Sequence, residues 1–235
     1  MTIVETPTVA PVAFETARGR RWAAAWLAVG PLMMIASFGL AAVIDRSTGG
    51  LDDFEAAKAE PGLAGLSSFF DLLTPPTMLA WGAVMFLVAH RWARRSSWTF
   101  LVANVLQLCG LAAVVGIELV TALLFIDGVP RATIDSVMDD KLTGTVPGIA
   151  LMLMFMVTIP IGFIALGIAL WATRWVPRWV PVVMWLTPFA DMLTPDHPKW
   201  LHVALFVVLL AASLAVAGGI LRDGAPGPAV AEHTS

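Results

Sequence analysis

LVANVLQLCGLAAVVGIELVTALLF, residues 101–125, decides the fold of this chain. The run is apolar and long enough to cross the ~30 Å hydrocarbon core of a bilayer as one α-helix. Yet it carries Asn104, Gln107 and Glu118. On a helical projection these three fall within a ~60° arc, and Thr121 extends the stripe at its edge. An amide or carboxylate in hydrocarbon is costly, so this face is expected to turn towards protein, a cavity or water.

Composition carries the membrane reading to the rest of the chain. The 235 residues are 58% hydrophobic and only 13% charged, with a mean hydropathy of +0.82. A soluble domain of this size needs more polar surface to cover one core, so the surplus apolar surface faces lipid. The lipid bilayer is therefore the first partner, and no nucleic-acid partner is expected. Cys109 is the only cysteine, which excludes an intrachain disulfide or a cysteine-based metal cluster. It is read as a small buried hydrophobe.

Six spans are expected, at 22–44, 72–90, 98–126, 146–171, 178–192 and 200–221. Residues 1–21 read as a flexible tail ending in Arg18, Arg20 and Arg21, and residues 222–235 as a disordered one. The first span exceeds a signal-peptide core, and Asp45 and Arg46 follow it at once, so it is read as uncleaved. In the loop 49–76, Asp52 and Glu55 have capping-box spacing, which predicts a short helix ended by Pro61-Gly62. Leu63, Leu66, Phe70 and Leu73 then recur at helical spacing, as in a membrane-surface segment or a lead-in to the second span. Pro130 suits the start of another short helix, with Ile134, Val137 and Met138 as its apolar edge. Pro160 is expected to kink the fourth span, while Pro181 and Pro188 break the short fifth one, which ends in Asp191.

Lys and Arg set the orientation. Arg18, Arg20, Arg21, Arg91, Arg94, Arg95, Arg174, Arg178 and Arg222 fall on one side. Arg46, Lys58, Arg131, Lys141 and Lys199 fall on the other, over longer loops. The positive-inside rule then places both termini in the cytoplasm. Trp22, Trp92, Trp98, Trp171, Trp175 and Trp179 gather at the same inner boundary, as an aromatic belt does.

With that threading, Glu118 lies in the outer half of its helix, about 9 Å from the midpoint at 1.5 Å per residue. Asp191 ends the fifth span at a similar depth, and His202 sits in the first turn of the sixth, just past Asp196 and His197. Glu118, Asp191 and His202 are thus candidates for one outward-facing polar pocket, with Asn104 and Gln107 further in on the same stripe. The bland alternative gives each group its own structural task. Glu118 is read as functional, because ionisable groups within membranes usually are. The histidines are read as interfacial residues. No metal site or cofactor is expected. Met152, Met154 and Met156 alternate and so point in different directions, and His90 and His202 lie at opposite ends of their spans.

The string GFIALGIALWATRWVPRW, residues 162–179, resembles in outline a broad group of small bacterial six-helix membrane proteins of unknown function. The resemblance implies the layout and a multi-pass place in the bacterial plasma membrane, and no activity. A Pro-Arg-Trp at a helix start also follows from interface physics alone.

The expected fold is all-α, a polytopic bundle of six transmembrane helices. Three functional readings follow. The first is a non-enzymatic bundle whose outward pocket binds or senses a small species or supports a membrane-protein partner. The second is a membrane-embedded acid–base enzyme acting on a lipid or isoprenoid-like substrate. The third is a proton-coupled transporter, for which six helices imply a homo-oligomer.

Overall fold

The computed structural model describes residues 16–49, 53–138, 144–173, 176–192 and 199–223, with backbone alone at 53–54, 190–192 and 223. All regular structure among these residues is α-helical. The helices are α1 (Ala17–Thr48), α2 (Asp53–Ala59), α3 (Pro61–His90), α4 (Arg94–Ile126), α5 (Arg131–Met138), α6 (Val146–Thr173), α7 (Trp179–Met192) and α8 (Lys199–Asp223). Five of them, α1, α3, α4, α6 and α8, are long and apolar enough to cross a membrane, which suggests a multi-pass membrane protein. The apolar α7 has 14 residues, about 21 Å at 1.5 Å per residue, and is shorter than the hydrocarbon core.

Helix ends follow the local chemistry. Thr16 Oγ1 accepts a hydrogen bond from the Gly19 amide at 3.0 Å, which starts α1 at Ala17, inside the stretch expected to be tail. Gly49 closes α1 in the left-handed region, φ +70°, with its amide donating to the Asp45 carbonyl. The segment containing Leu63, Leu66, Phe70 and Leu73 is the first part of α3, continuous with the span, rather than a separate surface helix. Pro75 and Pro76 lie inside α3 and, having no N–H, leave the carbonyls of Asp71 and Leu72 without their helical donors. Thr74 and Thr77 on either side donate their hydroxyls to Phe70 O (2.9 Å) and Leu73 O (2.8 Å). Such local bonds and tight neighbours let a membrane helix pass through prolines. Asp52 lies outside the described residues, but the short helix expected there is present as α2, and the one after Pro130 as α5.

In space the long helices and α7 close a ring in the order α1, α3, α4, α6, α7, α8 and back to α1, with α3 also touching α6. The short α2 leans on α1, α3 and α4 at one end of the ring, and α5 leans on α4. Lipid is as apolar as leucine, so this ring is held by close van der Waals packing and interhelical hydrogen bonds rather than by expulsion of water. Its centre is Trp81 of α3, which has no exposed surface. The indole N–H donates to Ser213 Oγ of α8 at 3.0 Å, and the ring stands 6.2 Å from Phe100 of α4 and 6.0 Å from Phe163 of α6.

The end of the ring opposite α2 and α5 is filled and tied. Arg178 Nη1 donates to the Trp171 carbonyl near the end of α6 at 2.6 Å, with its guanidinium 4.6 Å from the centre of the Trp171 ring. Gly167 lets the Trp185 indole of α7 lie against α6, where it donates to Ile164 O at 3.2 Å. The Val-Pro-Arg-Trp turn is thus a clamp between two helices. Trp22, Trp98, Trp171 and Trp179 are exposed around this end, as interfacial tryptophans are. The expected burial of Cys109 is corrected: its side chain is exposed on the outer surface of α4, away from the polar stripe.

Trp81→Phe keeps an aromatic ring but removes the N–H and part of the buried bicycle, so it is expected to lower the stability of the detergent-solubilised protein by about 1–2 kcal/mol. Trp81→Ala also empties the centre and is expected to cost about 3 kcal/mol or more. Denaturation midpoints of both variants against the parent test this, and equal midpoints would show that the indole is not the central contact.

Candidate functional site

Above Trp81, towards the end carrying α2 and α5, the ring is hollow. The cavity has a volume of about 890 Å³, within the range of pockets that hold small organic ligands. Its deep wall is apolar, formed by Met78, Phe155, Ile159, Phe163 and Leu209 with one amide, Gln107. Ser37 and Asp71 face each other across the α1–α3 seam. Glu118 lies eleven residues beyond Gln107 along α4, about 16 Å at 1.5 Å per residue. At the mouth stand Ala56 and Ala57 of α2, Ile134 and Asp135 of α5, and Lys199 at the start of α8.

Few groups carry the polarity of this space. The hydroxyls of Thr74, Thr121 and Thr187 line it but bond back to carbonyls one turn earlier: Thr121 Oγ1 lies 3.0 Å from Ile117 O, and Thr187 Oγ1 lies 2.8 Å from Val183 O. Ser37 instead donates across the helix boundary to Asp71 Oδ1, so the carboxyl is fixed by α1 while belonging to α3. His202 is fixed by stacking: its ring lies 5.2 Å from that of Phe38 at an interplanar angle of 9°, and Phe38 stacks in turn on Phe206. Asp135 pairs with Arg131 at 3.4 Å, an exposed contact of little energetic weight. Asp71, Glu118, His202 and Lys199, with Asp135 at the mouth, are the ionisable side chains that line the cavity, and Gln107 is its one amide.

Three of the five residues singled out in the sequence, Glu118, His202 and Gln107, line this one cavity. Asn104 does not line it. It lies one turn deeper on the same stripe, is 3% exposed, and packs against Gly82 of α3, where an added Cβ would collide with its amide. Its Nδ2 finds no acceptor among the described residues. The Asp191 side chain lies outside the described residues, as do Asp196 and His197, although the Asp191 backbone belongs to the last turn of α7. Asp71 is the residue that sequence reasoning passed over. The signal was available, because a lone carboxylate between Phe69, Phe70, Leu72 and Leu73 calls for a polar partner once the stretch is helical.

Among the described residues, no three His, Cys, Asp or Glu side chains gather as metal ligands do. No family model matches this chain, and neither a curated protein nor a solved structure matches it.

Two substitutions probe the walls of the site. Ser37→Ala removes the donor to Asp71 and is expected to cost about 1 kcal/mol of stability, read as a lowered melting temperature in detergent. An unchanged melting temperature would show that the seam does not depend on this bond. Gly82→Ala is expected to destabilise by about 1–3 kcal/mol through overpacking against Asn104, and Gly82→Ala with Asn104→Ala to recover most of that loss. Strictly additive losses in that cycle would place the two residues out of contact.

Proposed function

We propose that this chain is a plasma-membrane protein of six spans, of the bacterial layout it resembles, with both termini in the cytoplasm. Its cavity takes up a small species from the outer side. The observation that carries this reading is the shared cavity of Asp71, Glu118, Gln107, Lys199 and His202. The later parts of α1, α4 and α7, the earlier parts of α3 and α8, and the middle of α6 (Phe155, Ile159 and Phe163) supply its walls. Alternate helices therefore run in opposite directions, and α7, though short, carries the chain from the clamped end to the cavity end as a sixth crossing. The Lys and Arg excess lies at the clamped end, so the cavity end is the outer one.

Binding or sensing of a small species, or support of a partner membrane protein, is the first reading. A second reading, an acid–base enzyme acting on a lipid or isoprenoid-like substrate, is favoured by one observation: two carboxyl groups from different helices, Asp71 and Glu118, line the same space. Proton-coupled transport, with its implied homo-oligomer, needs a polar path past Trp81. That level is filled by Trp81, Phe100 and Phe163.

Cysteine labelling in intact cells tests the outward pocket. In a Cys109→Ser background, Ser67→Cys in the α3 wall of the cavity and Gln107→Cys in the deep wall are expected to react with a membrane-impermeant thiol reagent added outside. Reaction only in inverted vesicles would reverse the topology. Protection of Gln107→Cys from both sides would remove the pocket.

A further inference from the structure

The outer cavity is not closed on all sides. A second hollow of about 280 Å³ lies between the outer ends of α3 and α4 under α2, and it shares Ala57, Ala64, Ser68, Leu119 and Ala122 with the main cavity. Its remaining walls are almost wholly apolar, and Leu72, Leu123 and Ile126 on its rim are exposed on the outside of the ring. In a bilayer that outside is acyl chain. The small side chains of Ala64, Ser68 and Ala122 keep the seam open, and the polar lining begins directly behind it. Glu118 is adjacent to Leu119 on the α4 side of the seam, and Asp71 is one turn from Ser68 on the α3 side. Lys199 and His202 stand on α8, away from the seam. Lys58 of α2, held over the Phe125 ring at 5.8 Å, lines neither space.

Resting on the outward-pocket reading, we infer that the ligand is a single-chain amphiphile with a cationic head. It reaches the cavity sideways from the membrane between α3 and α4. The head passes two carboxyl groups as it enters and settles between Asp71 and Glu118, while the alkyl chain stays in the α3–α4 seam against Leu119 and Ala122. This division matches the shape of the two spaces: the large one holds the polar groups, and the narrow one meets lipid without any charge of its own.

Equilibrium binding of radiolabelled dodecyltrimethylammonium to the full chain in phosphatidylcholine nanodiscs, with empty nanodiscs as background, tests the assignment. Saturable binding is expected, weakened about tenfold or more by Asp71→Asn with Glu118→Gln. Ala122→Trp, which fills the seam, is expected to abolish it. Ala122→Leu is expected to weaken it, and this second variant serves if the first does not yield monodisperse protein. Tetramethylammonium, with the head and no chain, is expected to bind far more weakly. Equal affinity for tetramethylammonium would overturn the sideways route, tighter binding of laurate would overturn the cationic head, and absence of saturable binding would overturn the whole inference. Outside labelling of Gln107→Cys tells these failures from failure of the pocket itself: labelling without amphiphile binding leaves the outward pocket standing, and loss of both removes it.

Discussion

The hydrogen bond from Trp81 to Ser213 is the contact on which the architecture turns. It joins α3 to α8 across the middle of the ring, and its indole is packed between Phe100 and Phe163. In a bilayer the apolar surfaces of these helices gain little by leaving lipid, so a buried N–H with a hydroxyl partner specifies the arrangement more sharply than further leucines do. One large side chain at the axis also divides the bundle. On one side of Trp81 the helices close on Met85, Leu166, Leu170 and Met184, all fully buried. On the other they diverge around an open space.

Proline and threonine keep that divergence compatible with helical backbone. Pro75 and Pro76 interrupt the ladder of α3 beside Asp71, and Pro188 does so in α7 where it borders the cavity. Threonine hydroxyls near each site bond to carbonyls of their own helix. The backbone thus absorbs much of its own polarity, and the side chains that give the space its character are a carboxyl held by Ser37, the amide and carboxyl of Gln107 and Glu118 on α4, and Lys199 with an imidazole stacked on Phe38 on α8.

Much of this was legible in the sequence, and the missing parts share a cause. Helical content, the apolar spans and the inward turn of the Gln107–Glu118 stripe follow from local periodicity and the cost of polar groups in lipid. The partnerships were not legible. Ser37 meets Asp71 over 34 residues and Trp81 meets Ser213 over 132, distances at which a pattern along the chain carries no pairing information. Asp71 was hidden further by Pro75-Pro76, which read as the end of a loop while the helix runs straight on. Asn104 shows the opposite failure. It belongs to the stripe by angle, yet its depth places it against Gly82 and below the cavity.

The shortness of α7 bears on the lipid as much as on the protein. Between neighbours of 28 and 25 residues, its 14 described residues extend about 21 Å where α6 and α8 each extend more than 30 Å. Such a mismatch is relieved by local thinning of the bilayer or by drawing headgroups and water inwards at that flank. With α7 as the proposed sixth span, the annulus of lipid would be lopsided, thin beside α7 and of full thickness beside α3 and α4. On that threading Lys199 and His202 would stand close to the aqueous boundary, while the seam between Leu72 and Leu123 would stay immersed in acyl chains.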